Sequence, residues 1–230
     1  MMSICFREFK NLFKSVKSVI FIAILCGVTL LIAQFFKGYQ NQLSEFGLGN
    51  AYAAGLFLII LLLGPLFVIS LSHDIINQET KSKTMRFLVT KISRDKIILG
   101  KFAGVTLFWS CCLCISLLLI IPFSHEFYFM KLIESIIFIT YFIALALLLS
   151  TIINKPSLSM FLGIILSVII PIIGLWSMIT DNNVIITLIS YFTPYYYFGE
   201  SDKEFLIYFV PVLSAILFLG SVLLFRKKEC

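Results

Sequence analysis

The chain has 230 residues, of which 60% are apolar and 13% charged, with a formal net charge of +6. So large an apolar fraction cannot be hidden by a water-soluble domain of this size, so residues 1–230 read as a single all-α, polytopic membrane domain with no separate soluble domain. The basic residues are unevenly distributed, which makes them a topology signal and excludes nucleic acid as their partner.

Residues 1–17 come first. At about 100° per residue, Cys5, Phe6, Phe9, Leu12, Phe13 and Val16 share one arc of a helix, and only Ile4 falls off it. Arg7, Lys10, Lys14 and Lys17 lie on the remainder. This pattern predicts an amphipathic entry helix lying in the membrane interface, with its basic residues toward anionic head groups. It is not a cleavable signal peptide, because no small-residue cleavage site follows the apolar run.

Six apolar runs follow, at 19–36, 51–72, 102–123, 132–153, 158–180 and 205–225. Each is close to the roughly 20 residues that a helix needs to cross a bilayer, and none alternates in polarity as a barrel strand does. Gly64-Pro65, Pro171 and Pro211 predict bends in the second, fifth and sixth spans. The linker 37–50 reads as a short glycine-bearing outer loop. Before the last span, Val184–Ile189 is too short to cross, and an aromatic segment, Tyr191 to Phe198, follows it. This predicts one short re-entrant or interfacial helix, with aromatics at the water–lipid boundary.

With six spans both termini share one side. That side carries 15 of the 18 basic residues, leaving Lys37, Lys131 and Lys203 opposite. The positive-inside rule then places both termini and the central loop in the cytoplasm.

Chemistry inside the spans is sparse. Glu134 is near an outer end, and His73 and His125 fall on opposite faces of the membrane, so they share no metal site. Cys5, Cys26, Cys111, Cys112, Cys114 and Cys230 read as packed apolar residues without a metal or disulfide role. The phosphate-binding loop G-x-x-x-x-G-K-[ST] is missing: at its closest approach, Gly100-Lys101, Phe102 follows and Asp95 stands in the first glycine's place. The chain is therefore not expected to be an enzyme, and any energy it uses must come from another chain. An intramembrane hydrolase is disfavoured by the lack of buried acid–base pairs.

The charged island 73–101 carries seven of the 18 basic residues. Residues 75–90 can form a helix anchored by Ile76, Met85 and Phe87-Leu88-Val89. Ser93 reads as the N-cap of a second helix that runs straight into the third span, with Asp95 in its first turn.

The order of these features resembles the type-two ABC exporter permeases, the six-helix membrane subunits of bacterial ATP-driven exporters. In that family the loop after the second span carries an acid, a threonine-led hydrophobic stretch, a Pro-x-Ser-Arg-like turn and an apolar run closing with Gly-Lys. Glu79, Thr84, Leu88, Ile92-Ser93-Arg94 and Ile97 to Lys101 match, whereas Lys83 and Lys91 replace the usual glycine and proline. The match extends to the entry helix, the six spans and Thr193-Pro194 before the last span.

The resemblance implies a permease subunit in the cell membrane, working with a second permease, identical or homologous, and two ABC ATPase subunits. ATP and Mg would be bound by the ATPase, leaving no cofactor in this chain. The expected ATPase-coupling residues are Glu79, Thr84, Arg86, Leu88, Ser93 and Arg94, with Arg86 included for its charge. Phenylalanine-rich, nearly uncharged spans suit export of an amphipathic or hydrophobic cargo such as a peptide, antibiotic or lipid-like molecule. The alternative is a non-transporting membrane immunity or assembly factor that only binds partners.

Overall fold

Inside hydrocarbon a backbone can satisfy its amides only within itself, and all six apolar runs accordingly form helices long enough to cross a bilayer. The computed structural model describes residues 1–38, 51–81, 85, 90, 92–179, 184–199 and 204–227. The entry helix α1 is Met2–Lys14. The first two spans are α2 (Val16–Gly38) and α3 (Ala51–Ser72), and α3 leads through a turn into the short α4 (Asn77–Lys81). The middle spans are α5 (Arg94–Ser124), α6 (Phe129–Ile152) and α7 (Pro156–Ile179). Two short helices, α8 (Val184–Ser190) and α9 (Pro194–Gly199), and a 3₁₀ turn (Glu204–Phe209) lead into the last span, α10 (Val210–Lys227). There is no strand among the described residues.

The centre of the bundle is α6, which packs against α3, α5, α7 and α10. Its Phe138, Phe142, Ala144, Ala146 and Leu147 are completely buried. In its most apolar stretch 61% of residues are buried, against 17% in α2, which with α7 and α10 forms the exposed rim. Hydroxyls within the spans bond carbonyls of their own helix: Thr29 to Leu25, Ser116 to Cys112 and Ser214 to Val210, at 2.7, 3.0 and 3.0 Å. These groups are thereby satisfied without any external partner.

The prolines divide into two kinds. Pro65 and Pro171 lie inside continuous helices, whereas Pro211 stands in the first turn of α10, where the 3₁₀ turn becomes α-helix. Proline has no N–H, so Pro65 leaves the Leu61 carbonyl without its helical donor. Tyr195 supplies the replacement, its hydroxyl donating to the Leu61 oxygen at 2.5 Å. The ring reaches this point because Gly174 of α7 has no side chain; a Cβ there would lie 2.3 Å from that of Tyr195.

Two expectations change here. Pro194 opens α9 as a separate second helix after α8, where the sequence predicted one. Tyr195 is only 1% exposed, packed edge-on against Phe138, and does not sit at the water–lipid boundary. Tyr195→Phe is expected to cost about 1–3 kcal/mol in detergent unfolding, the cost of a buried acceptor left unmade. In a Pro65→Ala background, where residue 65 regains an N–H, the loss is expected to shrink; equal losses in both backgrounds would contradict this pairing.

Candidate functional site

Two glycines one helical turn apart on α5, Gly100 and Gly104, make a smooth groove in which α1 lies. A Cβ at Gly104 would stand 2.7 Å from the Cys5 carbonyl oxygen and 2.9 Å from the Glu8 Cβ, and one at Gly100 would stand 3.0 Å from the Ile4 Cβ. Small residues at this spacing let two backbones approach closely. Ile4 and Cys5 are buried, Phe9, Leu12 and Phe13 pack against the core, and Phe13 meets Phe108 edge-on at 4.9 Å. The amphipathic helix is therefore present, but it ends at Lys14, so Val16 belongs to α2, and its contact face includes Ile4 and leaves Phe6 exposed. Periodicity sees the spacing of side chains along α1, whereas the glycines of α5 choose which side is seated.

Seating α1 brings Glu8 over Lys101. The Lys101 side chain is 1% exposed, and its ammonium group reaches Glu8 Oε1 at 3.0 Å, Glu79 Oε2 at 3.1 Å and the Ile75 carbonyl at 2.8 Å. The ammonium group hydrogen-bonds Glu8 and the Ile75 carbonyl and forms an ion pair with Glu79. Arg7 bonds the other oxygen of Glu79 and lies 3.3 Å from Glu8 Oε1. Among the described residues, two acids and two bases thus form a neutral cluster. Such pairing is what a buried ammonium needs, since an uncompensated charge there would be costly.

The segment carrying Glu79 is fixed from behind. Ser150 of α6 accepts hydrogen bonds from the amides of Ile76 and Asn77 at 2.9 and 3.1 Å. The Asn77 side-chain amide donates to the Ile153 carbonyl at 3.3 Å, and Ser159 of α7 donates to the His73 carbonyl at 2.7 Å. On the other side of the α5 N-terminus, Arg94 donates to the Phe225 and Arg226 carbonyls at 3.3 and 2.5 Å. Asp95 pairs with Arg226, with Arg226 Nε 2.7 Å from Asp95 Oδ1. Elements α1, α4, α5, α6, α7 and α10 are all joined at this basic end. A cleft of about 520 Å³ opens beside the charge cluster, with Asn11, Ser15, Asp74 and Gln78 among its polar lining.

The arrangement holds helices together. The sequence comparison fits such a part. The model of the ABC-2 family transporter protein matches residues 2–198, from the entry helix through α9. The chain belongs to the ABC-2 transporter family. No curated protein matches it. An ABC-2 permease is a membrane component of an ABC transporter and works with an ATPase partner in a lipid bilayer; it is not itself the ATPase.

Of the residues singled out from the sequence of this ABC-2 permease, Glu79 is at the centre of the cluster. Arg7 joins it there with its side chain 43% exposed, and Lys10, Lys14 and Lys17 are exposed. Ser93 occupies the N-cap of α5 with an extended backbone, but its side chain makes no capping bond. Arg94 is committed to the end of α10. Thr84, Arg86 and Leu88 lie outside the described residues, as do residues 39–50 of the first outer loop. The predicted helix 75–90 is described as α4, which starts at Asn77. Sequence reasoning missed Glu8, Gly104 and the pairing role of Lys101. Their signal was available as Gly100-x-x-x-Gly104 with a lysine inside it at the head of an apolar run.

Proposed function

We propose that this ABC-2 permease is the membrane subunit of an ATP-driven exporter, working with a second permease copy and two ATPase subunits. The basic end would face the cytoplasm, as its excess of lysine and arginine favours. ATP-driven closure of the ATPases would push on the entry helix and the segment from Glu79 to Arg94, and the spans would carry the push as a rigid-body motion. The Lys101 cluster supports this reading best: it joins the two parts of the chain that an ATPase would touch to the start of the third span. The polar cleft beside it, about 520 Å³, would seat a segment of the ATPase. Phenylalanine-rich, nearly uncharged spans suit an amphipathic or hydrophobic cargo such as a peptide, antibiotic or lipid-like molecule.

Co-expressed with an ATPase encoded beside its gene, the permease is expected to co-purify with it, and candidate amphipathic peptides are expected to raise ATP hydrolysis in proteoliposomes. Reversing Lys83 and Arg86 together should weaken that complex, through charges suited to acidic patches on the ATPase. If no nucleotide-hydrolysing chain associates with the permease, the proposal fails.

A further inference from the structure

A second cleft, of about 500 Å³, lies between α4 and the turn joining α6 to α7. Lys81 ends α4 on one side of it, and Lys155 stands in the turn on the other. Asn154 and Ser157 add uncharged hydrogen-bonding groups, and no acidic side chain is among the described lining residues. The remaining wall is apolar: Leu158 and Phe161 are 48% and 64% exposed. They lie three residues apart on α7, hence on one face, and run from the cleft along the span into the bilayer. A cationic mouth continuous with an apolar strip complements a molecule carrying a phosphate at one end and acyl chains at the other. The volume falls in the range of roughly 300–1,000 Å³ usual for small-molecule sites, and basic pockets between helices at the water boundary suit anionic lipid head groups.

We propose that this cleft binds an anionic phospholipid, with Lys81 and Lys155 on its phosphate and Leu158 and Phe161 along its acyl chains. A free anion would use the lysines but gain nothing from the apolar wall. A soluble protein would meet Phe161 only within the membrane. Because Asn77 fixes α4 beside the end of α6, a lipid held here straps the segment carrying Glu79 to the first turns of α7.

The test needs neither an ATPase nor transport, so it stands apart from the functional proposal. The purified chain is titrated with phosphatidylglycerol or phosphatidylcholine and observed by native mass spectrometry. Phosphatidylglycerol adducts are expected at concentrations where phosphatidylcholine leaves none. Lys81→Gln/Lys155→Gln should weaken them about tenfold or more, the scale of two lysines acting on an anionic lipid. Lys96→Gln/Lys227→Gln, which removes the same charge from exposed positions at the same end, should leave them nearly unchanged. All four side chains are exposed, so both variants fold. Equal weakening by the two variants, equal retention of the two lipids, or displacement of phosphatidylglycerol by millimolar inorganic phosphate would overturn the proposal.

Discussion

Lys101→Met is expected to destabilise the permease by about 3–5 kcal/mol, the cost of removing one partner from a buried charge pair. Methionine nearly preserves the length and volume of the side chain, so the loss is electrostatic rather than a packing defect. Glu8 and Glu79 would lose the cation that bridges them, and the Ile75 carbonyl would lose its ammonium donor. Pairing Lys101→Met with Glu8→Gln restores neutrality and should recover part of the loss. Unfolding in detergent titrated with dodecyl sulfate reports both effects. A loss below about 1 kcal/mol, the scale of an exposed ion pair, would show that the cluster is a surface feature.

Gly104→Leu should lift the entry helix while leaving the six-span bundle folded. The added Cβ alone meets the Cys5 carbonyl oxygen and the Glu8 Cβ below 3.0 Å, and backbone cannot step aside as a side chain does. Overpacking of this kind costs about 1–3 kcal/mol, which raises the lifted population roughly 5- to 150-fold. Cys5, buried beneath α1, gives the readout: in a Cys230→Ser background its maleimide labelling should accelerate by that factor. Gly27→Leu serves as the control, because a Cβ there meets nothing within 4 Å. Unchanged labelling in Gly104→Leu would mean that α1 is not held by this groove.

The spans were legible because hydrocarbon imposes length and apolarity on each one separately. The sequence placed the second span at 51–72, and the N-cap Ser93 with a helix running unbroken into the third span; both match α3 and α5. What was illegible depends on pairs of distant residues. Pro65 announces an orphaned carbonyl at Leu61, but nothing near it in sequence points to Tyr195 as the donor. Lys101 could be read as the close of a Gly-Lys motif, yet its partners Glu8 and Glu79 come from two other elements. The entry helix was recognised by its period, whereas its contact face was set by α5. Local pattern gives elements and their ends; the site arises where three elements meet.

Joined by the charge cluster, α1, α4 and the start of α5 should move as one piece. Spin labels at Lys10 and Gln78, both exposed, in a chain whose six native cysteines are replaced, measure this directly. In the transporter assembled with its ATPase subunits, the distance between these labels should be the same without nucleotide and with trapped ATP. In the proposed assembly of two permease copies, the distance between Gln78 labels on one copy and the other should change. If nucleotide instead separates position 10 from position 78 within one chain, the entry helix and the loop move independently, and the charge cluster does not couple them.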